Sequence, residues 1–159
     1  MSSADPALPP DANDSATAER RRWMGLLARA CPARLAALMP ADQPEHTLLR
    51  APEAGAVMVR GRVGGSGAPF NLGEMTLTRC ALRLASGQLG HAHVQGRSKA
   101  HAHHAALIDA LMQTPQAPTI SAEVLAPLAA AEATRRAARA ARAAATKVEF
   151  FTLVRGEDA

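Results

Sequence analysis

Six histidines, several alternating with small residues, and two cations beside a glycine are the groups in this chain whose types and spacing can do chemistry. All but His46 gather in residues 86–113, SGQLGHAHVQGRSKAHAHHAALIDALMQ. The first chemistry they suggest is anion capture. Residues 89–95 alternate as a strand, Gly96 turns the chain, and a helix begins near Arg97 or Ser98 with Ser98 as its N-cap. A glycine at such a turn leaves backbone N–H groups at the positive end of the helix dipole, where anions bind, and Arg97 and Lys99 flank it. Gln95, Gly96, Arg97, Lys99 and His101 are therefore one set of anion-binding candidates. A plain turn with solvated cations is the alternative.

The second chemistry is metal binding. His91 and His93 share a strand face, and His101 and His104 lie three apart on one helix face, so four imidazoles can in principle meet a zinc ion. No carboxylate or cysteine stands near them at ligand spacing, and Ala-His repeats also suit a partly exposed surface in an alanine-rich chain. No metal site is assigned. A hydrolytic pair of His101 with Asp109 fails on reach, because eight residues of helix separate the two by about 12 Å.

A second set of anion candidates lies upstream. A strand expected over 55–63 places Val57, Val59, Gly61 and Val63 on one face, read as core, and Met58, Arg60 and Arg62 on the other, read as basic. It empties into Gly64-Gly65-Ser66-Gly67, whose N–H groups can wrap a phosphate, so Arg60, Arg62, Gly64, Gly65 and Gly67 join the list. The loop is no P-loop, since no Lys-Ser/Thr follows it and the next element reads as a strand. A glycine-rich hairpin loop fits the same residues.

Composition bounds what these groups can belong to. The 159 residues suit one domain, and 48% are hydrophobic, yet much of that is alanine and only four side chains are aromatic. So thin a core favours a subunit that completes its burial against a partner. The net charge of +4 suits acidic partners. Cys31 and Cys80 show no paired spacing and read as reduced core residues. No apolar run is long enough to cross a bilayer and no apolar signal core opens the chain, which points to the cytoplasm.

The elements that must position these groups follow in order. Residues 1–16, rich in Pro, Asp and Ser, read as a disordered tail ahead of a domain at 17–159. Trp23, Leu26, Leu27 and Ala30 mark an amphipathic helix whose first turns carry Arg20-Arg21-Arg22, solvated by default or paired with a partner. A short helix opens at Pro32. Two strands are expected at 46–50 and 55–63 with a turn at Pro52-Glu53-Ala54-Gly55, then a strand at 74–84 with Thr78, Cys80, Leu82 and Leu84 on one face. A turn at Ser86-Gly87-Gln88 returns the chain as a hairpin.

In the central helix His101, His104, Ile108 and Leu111 form one stripe. Beyond a Pro-rich loop, Ser121 is read as the cap of a further helix restarted at Pro127. Its stretch 128–145, almost all alanine and arginine, packs closely while leaving Arg135, Arg139 and Arg142 available to acids. Residues 147–156 read as a terminal strand, apolar on both faces. The fold class is α+β, one domain, with an antiparallel sheet of about four to five strands and flanking helices.

Taken together and in order, Gly64-Gly65-Ser66-Gly67 with Phe70, Thr76-Leu77-Thr78-Arg79, Leu89-Gly90, Val94-Gln95-Gly96-Arg97, Lys99, His101-Ala102, residues 106–113 and Phe150-Phe151-Thr152-Leu153-Val154-Arg155-Gly156 closely resemble the PhnG family. These are the small G subunits of the bacterial carbon–phosphorus lyase system. The similarity runs from Trp23 to the C-terminus.

The resemblance implies a non-autonomous subunit of a core complex with H, I and J subunits, acting in organophosphonate catabolism. There the G, H and I subunits, helped by an ATPase-like L subunit, displace adenine from ATP with a phosphonate to give α-D-ribose 1-methylphosphonate 5-triphosphate. It also implies ATP with magnesium as the complex's reactants, nucleosidase chemistry on I, and an iron–sulfur cluster with S-adenosylmethionine on J. No cofactor is expected on this chain, and no catalytic residue carries over to it. His91, His93, His103 and His104 stand outside the family pattern, leaving His101 as the histidine that fits. No membrane or nucleic-acid partner is implied. A basic nucleic-acid-binding module is the rival class, ranked lower because aromatic residues are not interleaved with the basic ones.

Overall fold

The computed structural model describes residues 12–147, so all but Lys147 of the terminal strand expected at 147–156, and residues 1–11 of the expected tail, lie outside it. Helix α1 (Ala12–Arg29) begins within the stretch read as tail, and α2 (Pro32–Ala37) follows with proline in its first turn. Strands β1 (His46–Arg62), β2 (Pro69–Leu84) and β3 (Leu89–Gln95) form one antiparallel sheet in the order β1-β2-β3. The chain ends in α3 (Lys99–Leu111), α4 (Ala117–Ile120), a π-helical turn (Ser121–Leu125) and α5 (Ala126–Ala145).

The architecture is α+β, with three strands among the described residues where four to five were expected. The two strands expected on either side of Pro52 are one. The chain passes Pro52 without turning, and the register shifts between Leu48 and Arg50 and again between Arg50 and Glu53. A proline has no N–H for a ladder, so it is tolerated on an edge strand at an irregularity, and β1 is an edge strand. Beyond this point Glu53 meets its register partner Arg79 in an ion pair at 2.6 Å. That hydrogen bond holds the Glu53 carboxyl below its usual range, with the guanidinium's charge as the second cause.

Helix α3 is the centre of the molecule. It is buried at His101, Ala102 and 105–111, almost all the way round, because it is packed on every side. Its sheet-facing side meets Cys80, Leu82 and Leu84 of β2 and Ala92 and Val94 of β3, while Leu27 and Leu35 close over it from α1 and α2. The alternation expected in β3 is seen in full, with 90, 92 and 94 buried and 89, 91, 93 and 95 exposed. Gly90 is required here, since a Cβ on it would run into the carbonyl of Ala106 and the methyl of Ala110. The small face of β3 is what lets α3 come this close.

Two further expectations are corrected. Ser121 is not the N-cap of a new helix; it lies in helical backbone inside the run from Ala117 to Ala145. The π turn at Ser121–Leu125 precedes Pro127, whose missing N–H would otherwise break the ladder, and a widened turn absorbs that defect. The second correction concerns the far half of the β1–β2 hairpin, which has no core face. Val57 is 38% exposed, Met58 51%, Phe70 42% and Leu72 66%. β3 pairs with β2 only over Leu77 to Arg83, so residues 69–76 and their partners on β1 project as a two-stranded arm. At about 3.3 Å per residue the arm is about 25 Å long.

Candidate functional site

The two sets of anion candidates fall at different places. Gly96 has φ of 91° as the turn requires, but its N–H donates to the Thr76 carbonyl at 3.0 Å and its carbonyl accepts the Thr78 hydroxyl at 2.7 Å. Ser98 caps α3 by accepting the His101 N–H at 3.2 Å, so the helix's first amides are partly spoken for. Arg97 and Lys99 are exposed beside this turn. At the hairpin tip, Gly64 and Gly65 have positive φ, the Gly67 N–H donates to the Val63 carbonyl at 2.8 Å, and Arg62 donates to the Gly67 carbonyl at 3.1 Å. The glycines thus close a hairpin, with Arg60 exposed beside them. From Thr76, beside Gly96, to Pro69 at the tip is seven strand residues, about 23 Å, so the two sets do not form one site.

Gln95 and His101 instead belong to a cleft of about 630 Å³ between the end of α1, β3 and α5. Its wall carries Arg29 from α1 and Glu132, Arg135, Arg136 and Arg139 from α5, with His93 on the strand side. The α5 residues are spaced i, i+3, i+4 and i+7, which places them on one helix face. Of these residues, the sequence reading places Arg135 and Arg139 at helical spacing. What the sequence did not show was that this face opposes β3. Arg29 and Glu132 pair at 2.7 Å, raising the arginine's pKa and lowering the carboxyl's through the shared hydrogen bond, and Arg135 donates to the Arg29 carbonyl at 3.3 Å.

His101 forms the floor of the cleft, 3% exposed, with Nε2 donating to the Leu27 carbonyl at 2.8 Å. It positions α1 on α3 and makes no contact with Asp109. Asp109 is wholly buried and accepts four hydrogen bonds: Arg20 Nε at 3.1 Å, Arg20 Nη2 at 2.7 Å, Trp23 Nε1 at 2.8 Å and the His91 N–H at 2.9 Å. Arg20 is therefore paired inside the chain rather than solvated. Sequence reasoning missed this pairing because its partners lie 89 residues apart.

Arg20 Nη2 also donates to the Leu89 carbonyl, as does Gln113 Nε2. One end of the β3 edge is thereby satisfied. In an antiparallel ladder outward and inward residues alternate, so His93 turns its main-chain groups the same way as His91, away from β2.

Among the described residues no group of three or more His, Cys, Asp or Glu side chains could hold a metal ion. Of the four histidines singled out for zinc, only His104 joins the cluster that does form. His46 of β1 and His103 of α3 meet Nε2 to Nε2 at 2.9 Å, with the His104 ring tilted beside His103 at 6.0 Å between centroids. His46 Nδ1 donates to the Pro44 carbonyl at 2.9 Å, so in neutral His46 the Nε2 is the acceptor and His103 Nε2–H the donor. Burial, and then the charges of His46 and His104, lower the His103 pKa; burial and then His101 lower that of His104, whose buried Nδ1 has no partner. Of the cysteines, Cys80 is core and its thiol is pushed up by burial. Cys31 is not core: it is exposed at the start of α2, where the N–H groups of Arg34 and Ala33 lower its thiol pKa without hydrogen bonds of ordinary geometry.

Comparison with known proteins puts a family to this arrangement. Residues 18–156 match the family model described as phosphonate metabolism protein PhnG. The chain belongs to the PhnG family. A curated PhnG relative, the alpha-D-ribose 1-methylphosphonate 5-triphosphate synthase subunit PhnG of Rhizobium meliloti (strain 1021), is 47% identical over 152 residues, 92% of this chain and 95% of that protein. The PhnG match spans both anion sets, the Asp109 network and the α5 arginines. No helix among the described residues is long and apolar enough to cross a membrane.

Proposed function

We propose that this chain acts in phosphonate catabolism as a non-autonomous subunit of a synthase that makes α-D-ribose 1-methylphosphonate 5-triphosphate by displacing adenine from ATP. Its work is to assemble and shape a cytoplasmic complex with H, I and J subunits. The chemistry that needs ATP with magnesium, and the iron–sulfur cluster and S-adenosylmethionine of J, belongs to those partners. Family membership and the relative's name as a synthase subunit support the reading. The observation that carries the assembly role is the projecting β1–β2 arm, where Phe70 and Leu72 flank Gly61 and stay exposed. A two-stranded ribbon is marginal alone in water, and exposed apolar side chains along one are what a partner subunit would cover. The turn at Gln95, Gly96, Arg97 and Lys99 faces solvent beside that sheet and can meet an acidic loop of a partner.

The test is co-expression with the presumed neighbours. The unaltered chain is expected to co-purify with them and to be needed for product formation. A Val57→Ser, Phe70→Ser, Leu72→Ser chain is expected to fold but to drop out of the complex. Retention of that variant in the complex, or turnover by the purified chain alone, overturns the reading.

A further inference from the structure

The reading as a subunit of a triphosphate-forming synthase leaves one built feature unused, the cleft between α5 and β3. Four arginines line it against a single carboxylate, and that carboxylate is already paired with Arg29. Arg136 and Arg139 lie one turn apart on the cleft face of α5, and their side chains make no hydrogen bond or ion pair among the described residues. Unpaired guanidiniums held on an α-helix are donors spaced for several phosphoryl oxygens at once, and Arg binds such groups in forked pairs. Across from them, Gln95 adds an amide donor on the exposed face of β3. The volume of about 630 Å³ is that of a small-molecule site rather than a peptide groove.

We infer that this cleft binds an oligophosphate, the triphosphate arm shared by ATP and by the 5-triphosphate product named for the relative. The inference rests on the proposed function only for the identity of the ligand. The site itself rests on the arginine face and the cleft. Arg136 and Arg139 would grip the terminal phosphates, while Arg135, tied to the Arg29 carbonyl, stiffens the wall.

Titration calorimetry of the full chain with inorganic tripolyphosphate, ATP and AMP at fixed ionic strength tests it. Tripolyphosphate and ATP are expected to bind comparably, and AMP at least tenfold more weakly. Arg136→Ala with Arg139→Ala is expected to weaken tripolyphosphate at least tenfold without shifting the melting midpoint, while Arg136→Lys with Arg139→Lys loses less. Arg97→Ala, outside the cleft lining, is expected to leave tripolyphosphate affinity unchanged. Equal binding by the double alanine variant, equal binding of AMP, or loss on Arg97→Ala instead overturns the assignment. Co-purification with partners is a separate readout, so a chain that assembles but binds no oligophosphate sinks this inference and leaves the proposed function standing.

Discussion

Asp109 shows how a polar residue can hold a fold rather than run a reaction. Its carboxylate has no exposure and four donors from two separate parts of the chain, α1 and β3. Removing one partner of a buried charge pair leaves the other uncompensated, so Asp109→Ala is expected to cost about 3–5 kcal/mol in denaturant unfolding. A catalytic role would predict lost turnover with unchanged stability.

The histidines carry a second residue-scale consequence. In the folded chain His103 and His104 lie below the ordinary imidazole value of about 6.5, so near that pH the unfolded chain binds more protons. Their contribution is present above about pH 6.5 and is lost as pH falls through the lowered folded values. The groups facing them are His46 on β1 and His101 on α3. The melting midpoint should therefore drop on acidification from about pH 7.5 to about pH 5, and His103→Gln should flatten that drop.

At the scale of elements, the α3–β3 contact is the most demanding in the molecule. Gly90→Ala must displace the Ala106 carbonyl, which belongs to the helix backbone and cannot rotate away as a side chain would. A cost of about 3 kcal/mol or more is expected, measured by chemical denaturation, while Gly73→Ala on the open arm should cost under about 1 kcal/mol. The alternation of residues 89–95 and the cap at Ser98 were legible because both are local. Pro52-Glu53-Ala54-Gly55 misled for the same reason: locally it is a turn, and only the register with Glu53 opposite Arg79 keeps it in a strand. Arg135, Arg139 and Arg142 were legible at helical spacing, but Arg136 was not singled out and no cleft wall could be read, since nothing local tells a helix which strand it will face.

For the whole molecule, the arm and the small core are two sides of one property. The described core is built largely from alanine and leucine, and the arm's apolar side chains add nothing to it. Any partner that binds the folded chain alone raises its stability by mass action, about 2.7 kcal/mol when present at about 100 times its dissociation constant. Proteolysis can read where that partner sits. Proteases take extended chain, and Arg60 and Arg62 lie exposed on the part of β1 that β2 alone supports. In the free chain, trypsin is expected to cut after these arginines before Arg79 or Arg83, which lie in the three-stranded part of the sheet. In the co-purified complex the cuts at Arg60 and Arg62 should slow at least tenfold. If they proceed at the same rate with and without the other subunits, the arm is not where the complex is held together, and the partner-facing surface must be sought on the helical side.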